Sequence, residues 1–108
     1  TKGKGWLLSE KGIIIAFATR YPNNRIALFY CKGKYQRRGC GSKLLHKLED
    51  EAYKEGIDFL STEASLISYE LFLKKEWKIV RKEKVTINNI FFERYKMIKN
   101  IKINLVNS

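Results

Sequence analysis

The sequence predicts an α/β (α+β) domain: a mixed, mostly antiparallel central sheet flanked by helices, in the order β-β-β-α-β-α-β-β. Three observations carry this reading. The opening third alternates apolar runs with turn residues. From Cys40 the apolar residues switch to helical spacing. The chain closes on two long β-rich runs joined by Asn88-Asn89.

In "GWLLSEKGIIIAFATRY", Trp6, Leu7 and Leu8 make a short apolar strand, Glu10-Lys11-Gly12 a turn, and Ile13 to Arg20 a β-branched and aromatic strand. "YPNN" is a turn by its residues. "RIALFYC", Arg25 to Cys31, is apolar after its first residue and reads as a central strand. A loop crosses Lys32 to Arg38. Leu44, Leu45, Leu48, Ala52 and Tyr53 then fall at helical spacing, with lysines and acids on the other side. Gly56 sits where a helix wants a left-handed residue. "IDFLSTEASL" is a buried strand, and Ser68 to Lys75 a short amphipathic helix carrying Tyr69, Leu71 and Phe72. "WKIVRKEKVTI" and "IFFERYKMIK" form the closing hairpin, because Asn tolerates the positive φ of its turn. Asn100 to Ser108 is a tail. With one proline, no repeat and no linker, residues 1–108 are one domain.

The apolar fraction of 44%, with six Phe, six Tyr and two Trp, is enough for a folded core. No run approaches a membrane span, and no signal peptide is visible, so a soluble cytoplasmic protein with no membrane partner is expected. Cys31 and Cys40, with His46 as the single histidine, form no metal pattern and read as free thiols in a reducing compartment. His46 reads as a partly exposed helix residue and Glu10 as a hairpin carboxylate. The net charge of +11 attracts polyanions: nucleic acid, acidic lipid or a phosphorylated small molecule. The basic residues are spread and alternate with acids in the helix. That argues against a nucleic-acid module, which clusters them on one face.

The stretch "YQRRGCGSKLL" places Gly39 and Gly41 at a helix start, beside Arg37, Arg38, Ser42 and Lys43. The first amides of a helix lack intrahelical partners and carry the positive end of its dipole. Glycines there let an anion reach the backbone. The Walker loop is excluded because no Lys precedes Ser42. The dinucleotide fingerprint is excluded because Leu44 stands where its third glycine belongs. A glycine-rich turn that merely starts a helix accounts for the pair equally well.

The same stretch resembles the acyl-CoA signature of the GNAT superfamily of N-acyltransferases, with Gln36, Gly39 and Gly41 at its fixed positions. The resemblance runs from "ALFYCKGKYQRRGCG" through "TEASL" and "EWKIV" to "VTINNIFFERYKMIK". It implies an N-acetyltransferase that moves an acetyl group from acetyl-CoA to a primary amine of a small molecule or protein, by direct attack in a ternary complex. It implies cofactor contacts at Phe29, Tyr30 and Cys31, where a strand splays from its neighbour. Further contacts fall at Gln36, Arg37, Arg38, Gly39, Cys40, Gly41 and Ser42 in the loop, and at Ser65 and Phe72. Glu63 is the candidate general base, against a solvated or ion-paired carboxylate. Ser65 serves equally well as a cap for the following helix. The family's usual acid, a tyrosine, aligns with Phe72, which has no proton to give. Tyr69, one turn earlier, is the remaining candidate acid, against a core or rim aromatic.

Glu76 replaces the glycine the family places before the next aromatic, so that turn is expected to be built differently or strained. The family's first strand and two helices have no counterpart in Thr1 to Trp6. Ile13 to Phe17 is therefore expected to present unpaired backbone or bare side chains, and a homodimer to cover them. Two other functions stay open: a CoA-binding module without catalysis, and a small basic nucleic-acid-binding protein.

Overall fold

The computed structural model describes residues 3–102, the side chains of Arg37 and Arg38 excepted. Its elements are β1 (Lys4–Glu10), β2 (Ile13–Arg20), β3 (Arg25–Cys31), a 3-10 segment (Gly33–Arg38), α1 (Cys40–Lys54), β4 (Phe59–Ser65), α2 (Tyr69–Lys74), β5 (Lys78–Ile87) and β6 (Ile90–Asn100). They form one six-stranded sheet in the order β1-β2-β3-β4-β6-β5. Every neighbouring pair is antiparallel except β3–β4. The mixed sheet and the element order are those expected.

Both tight hairpins use two residues with positive φ, as the right-handed twist of the strands requires. Lys11 (φ 52) and Gly12 (φ 80) join β1 to β2, and Asn88 (φ 51) and Asn89 (φ 66) join β5 to β6. The segment expected as an open loop winds instead into the 3-10 turn. Tyr35 N–H donates to Lys32 O at 2.8 Å, and the buried Tyr35 ring sends its hydroxyl to Glu10 Oε2 at 3.0 Å.

Helix α1 buries Leu44, Leu45, Leu48 and Ala52 and turns its charges outward, with Lys47–Glu51 and Asp50–Lys54 paired one turn apart. Its apolar stripe packs on Ala16, Ala18, Leu60, Ala64 and Met97 of the sheet, in one cluster with Phe72 and Trp77. The small side chains of Ala16 and Ala18 leave room for the helix. Helix α2 shares this face, because right-handed crossovers running the same way across a sheet put both helices on one side. The opposite face carries Leu7, Leu28 and Phe59, each more than half exposed. No helix among the described residues is long and apolar enough to cross a membrane.

Two expectations are corrected. Ile13 to Phe17 lies in β2, whose backbone pairs with β1 on one side and β3 on the other, so only its side chains at Ile13 and Ile14 stand bare. The tail does not begin at Asn100: that residue ends β6, and Ile101 is buried, its amide on Asp58 O at 2.9 Å. Residues 103–108 lie outside the described residues.

The two helices end alike. After α1, Gly56 N–H reaches Tyr53 O at 3.0 Å and Ile57 N–H reaches Ala52 O at 3.1 Å; after α2, Glu76 N–H reaches Leu73 O at 3.1 Å and Trp77 N–H reaches Phe72 O at 3.0 Å. Each is a Schellman motif with a left-handed residue past the cap. Gly56 (φ 84) adopts it freely, whereas Glu76 (φ 69) does so with a side chain. The second turn thus repeats the first, with a glutamate in the glycine conformation. Glu76→Gly is expected to stabilise the fold by about 1 kcal/mol, relieving the left-handed Cβ and removing an acid from a helix C-terminus. Gly56→Ala is expected to destabilise it by about 1 kcal/mol. Urea unfolding of the two variants measures both.

Candidate functional site

Strands β3 and β4 pair only at Arg25/Ser61 and Ile26/Thr62. The Thr62 hydroxyl, itself buried, donates to Ile26 O at 3.0 Å across this last rung. The next residue, Ala27, is an extra one: Thr19 pairs with Leu28 but Arg20 with Ile26. Such a bulge bends its strand and turns it away from its neighbour. The splay expected between the two strands begins there.

The register says which main-chain groups the splay uncovers. Lys32 N–H donates to Ile15 O at 2.7 Å, so by the alternation of an antiparallel pair Tyr30 and Leu28 also turn their main chain toward β2. The N–H and C=O of Phe29 and Cys31 therefore face the gap. Gln36 Nε2 donates to Cys31 O at 3.1 Å. Tyr30 reaches the gap by position, while its backbone stays with Phe17 in β2.

The gap opens on a cleft of about 350 Å³. Among the residues singled out in the sequence, Phe29, Tyr30, Cys31, Gln36, Gly41 and Ser65 line it. Beneath it α1 begins at Gly39 (φ 78), with no side-chain cap and no acid in its first turn. Cys40, Gly41 and Ser42 are the first helical residues. Arg37 and Arg38 lie in the 3-10 turn that leads to them. A Cβ on Gly41 would meet Leu71 Cδ2 at 3.0 Å, so this glycine also lets α2 close on α1. Burial pushes the Cys31 thiol up, the nearby Cys40 adds to this, and the Gly41 amide opposes it. Ser65 and Ser68 cap each other: each backbone N–H meets the other's hydroxyl at 3.1 Å. The capping role of Ser65 and its place on the cleft are thus both present.

Three candidates stand elsewhere. Phe72 is buried behind the cleft, edge-on to Phe29 at 5.3 Å and to Trp77 at 4.9 Å. Tyr69 lies half-buried on the same side of α2, its ring 4.6 Å from Tyr95. Glu63 lies on the sheet face opposite the helices, where Arg25 Nε donates to Oε1 at 2.9 Å and Lys96 Nζ to Oε2 at 3.0 Å. The Arg25 hydrogen bond holds its carboxyl below the ordinary range; burial works the other way, and Lys96 adds to the lowering. A carboxylate so occupied is a weak proton acceptor. The cleft side of α2 is formed instead by Ser68, Leu71 and Lys74. Their three-residue spacing marks one helical stripe, a signal present in the sequence and passed over there.

A family model described as an acetyltransferase (GNAT) domain matches residues 2–99, and the chain belongs to that family. No curated protein sequence matches the chain. Among solved structures, a GCN5-related N-acetyltransferase from Rhodopseudomonas palustris is similar at 24% identity and a TM-score of 0.84, covering 91% of this chain and 61% of that one. The ribosomal-protein-S18-alanine N-acetyltransferase from Escherichia coli is similar at 20% identity and a TM-score of 0.73, covering 92% of this chain and 69% of that one. A putative acetyltransferase from Salmonella typhimurium, solved with its cofactor acetyl-CoA, is similar at 17% identity and a TM-score of 0.73, covering 90% of this chain and 64% of that one.

Two outcomes follow for the displaced residues. Phe72→Tyr buries a hydroxyl among Phe29 and Trp77, so it should lower stability by about 1–2 kcal/mol and leave acid chemistry unchanged, as calorimetry and a pH–rate profile would register. Glu63→Gln leaves Arg25 and Lys96 without their counter-ion and should cost about 1–2 kcal/mol at neutral pH, discounted for their partial exposure. Because the folded carboxyl titrates below the unfolded one, the native pairing contributes fully above about pH 4.3 and fades as pH falls through the lower folded value. The stability gap between wild type and Glu63→Gln should therefore close in acid, read from urea unfolding at a series of pH values.

Proposed function

We propose that the chain binds acetyl-CoA in the β3–β4 cleft and serves an N-acetyltransferase acting on a primary amine. The observation that carries the reading is the splay itself. It sets the amides of Phe29 and Cys31, which have no strand partner, above a helix start that has neither a side-chain cap nor an acid in its first turn. Acetyl-CoA, when bound, supplies the thioester carbonyl that an amine attacks directly in a ternary complex.

The chain's own residues divide the work. The amides of Cys40, Gly41 and Ser42, at the positive end of α1, suit a pyrophosphate. Lys74 adds positive charge to the lining of the cleft. The Cys31 amide suits a carbonyl of a pantetheine arm. The Phe29 amide suits the thioester oxygen and would meet the negative charge that develops there. Phe29, Leu71 and Ile67 give the groove its apolar lining. Glu63 acts through its field, with Arg25 and Lys96, rather than as the base. With Glu63 held by Arg25 and Lys96, the proton of an incoming ammonium would pass to solvent rather than to that carboxylate.

A second reading has its own support. Neither Phe72 nor Tyr69 brings a proton donor to the cleft, which suits a CoA-binding module without catalysis. Titration calorimetry with acetyl-CoA, followed by release of free thiol across a panel of amines, separates the two readings. Saturable binding with thiol release is the expected result. Binding without release selects the module, and no binding by the folded chain overturns both. Gly41→Val should weaken binding tenfold or more, about 1.4 kcal/mol. Circular dichroism checks that the variant stays folded while Leu71 makes room for the added side chain. Lys74→Ala should weaken it less, and the loss should shrink as salt rises.

A further inference from the structure

The cleft passes through the sheet. Phe29 and Cys31 pack toward the helices, whereas Tyr30 turns its ring to the far face, 5.3 Å from Phe17, yet all three line the cleft. The uncapped start of α1 and the apolar lining from α2 lie on the helix side. A cofactor held there leaves the far mouth as the way in for an acceptor. The two lips of that mouth differ in chemistry. Leu28 and Tyr30, both exposed, make an apolar lip on β3. The lip on β4 continues into charge.

Two rungs of the far face carry that charge. Glu63, Lys96 and Arg81 stand side by side across β4, β6 and β5, and Ser65, Arg94 and Glu83 do so two residues on, with all their side chains on one face. Arg25 reaches in from β3 to Glu63, so the block holds four cations to two carboxylates. Each carboxylate is shared. Arg25 Nε and Lys96 Nζ hold the two oxygens of Glu63 at 2.9 and 3.0 Å, and Arg94 Nε and Arg81 Nε hold those of Glu83 at 2.9 and 3.0 Å. The acids lie beneath the cations: the side chains of Glu63 and Glu83 are 12% and 19% exposed, those of Arg25 and Arg94 40% and 33%. Donors are left over. Among the described residues Arg94 spends only its Nε, Lys96 makes a single bond, and both bonds of Arg25 go to the same oxygen.

We infer that this block is an anion subsite for the acceptor, and that the acceptor is a primary amine carrying a carboxylate. The inference rests on the reading of the cleft as an acetyl-CoA site. A simple ammonium gains nothing from a block with excess positive charge on a chain of net charge +11. An amine that also carries a carboxylate is drawn in by that end, and the flat fork of Arg94 suits two carboxylate oxygens at once. Its amine is then turned toward the gap. The block lies one to two strand spacings from β3, roughly 5–10 Å, which is the reach of a short amino acid from its carboxylate to a terminal amine. Glu63 and Glu83 are then the supports that fix these cations in place.

The probes are β-alanine, γ-aminobutyrate and ε-aminocaproate, each compared with its own carboxamide, on the chain saturated with CoA. In an NMR titration at least one acid should bind about tenfold more tightly than its amide, moving the Nε–H signal of Arg94 as it does so. The preference should shrink as salt rises. Arg94→Gln leaves Glu83 with Arg81 and should abolish the preference. Arg94→Lys, which keeps the ion pair but loses the fork, should give an intermediate one. Lys84→Gln removes the same charge from the other side of β5 and should keep it whole. Acids and amides that bind alike overturn the inference. So does a preference that survives Arg94→Gln, or one that falls equally with Lys84→Gln and is therefore a property of overall charge. A folded chain that takes up no CoA is a different failure: it overturns the reading of the cleft, and this inference with it.

Discussion

Among the described residues, two register pairs, Arg25 with Ser61 and Ile26 with Thr62, are all that joins the two halves of the sheet as neighbouring strands. Everything that makes a site depends on this short junction. Were the pairing longer, Phe29 and Cys31 would spend their amides on β4 and there would be no cleft. Were it absent, β1–β2–β3 and β4–β6–β5 would be two ribbons. The junction is strengthened where it stands: Thr62 donates across it, Ser61 N–H reaches Asn24 O, and Glu63 ties Arg25 of β3 to Lys96 of β6. Helix packing then spans the open part, with Phe72 against Phe29 and Trp77.

Much of this was legible in the sequence, and the reasons differ element by element. The helix start at Gly39 was legible because a positive φ and an uncapped first turn both leave local marks. The strands and hairpins were legible from short apolar, β-branched and aromatic runs and from the Glu10-Lys11-Gly12 and Asn88-Asn89 turns. The bulge at Ala27 left no mark, since neither Gly nor Pro announces it; it is set by how β2 and β4 compete for β3. The partners of Glu63 were out of reach for another reason. Arg25 and Lys96 lie 38 and 33 positions away, and only the sheet order brings them together.

The assignment on α2 shows where a resemblance misleads. Family alignment directs attention to Phe72, the position of the usual acid. Helical periodicity directs it to Ser68, Leu71 and Lys74, and these residues face the cleft. Tyr69 and Phe72 share the other stripe, which the core takes. Helix direction is set by which stripe buries more apolar area, so a hydroxyl on the core stripe would sit against Trp77 rather than against a ligand.

The interrupted junction also changes how the sheet meets solvent. In an ordinary sheet the central strands hold the slowest-exchanging amides and the flanks fray first. Here the amides of Phe29 and Cys31 sit in the middle strand of the fold yet have no strand partner, while Trp6 and Leu8 at the flank do. Protection from hydrogen exchange should therefore dip at the centre of the sheet and recover on either side. A molecule seated between the strands would invert that profile, making its most labile region its most protected.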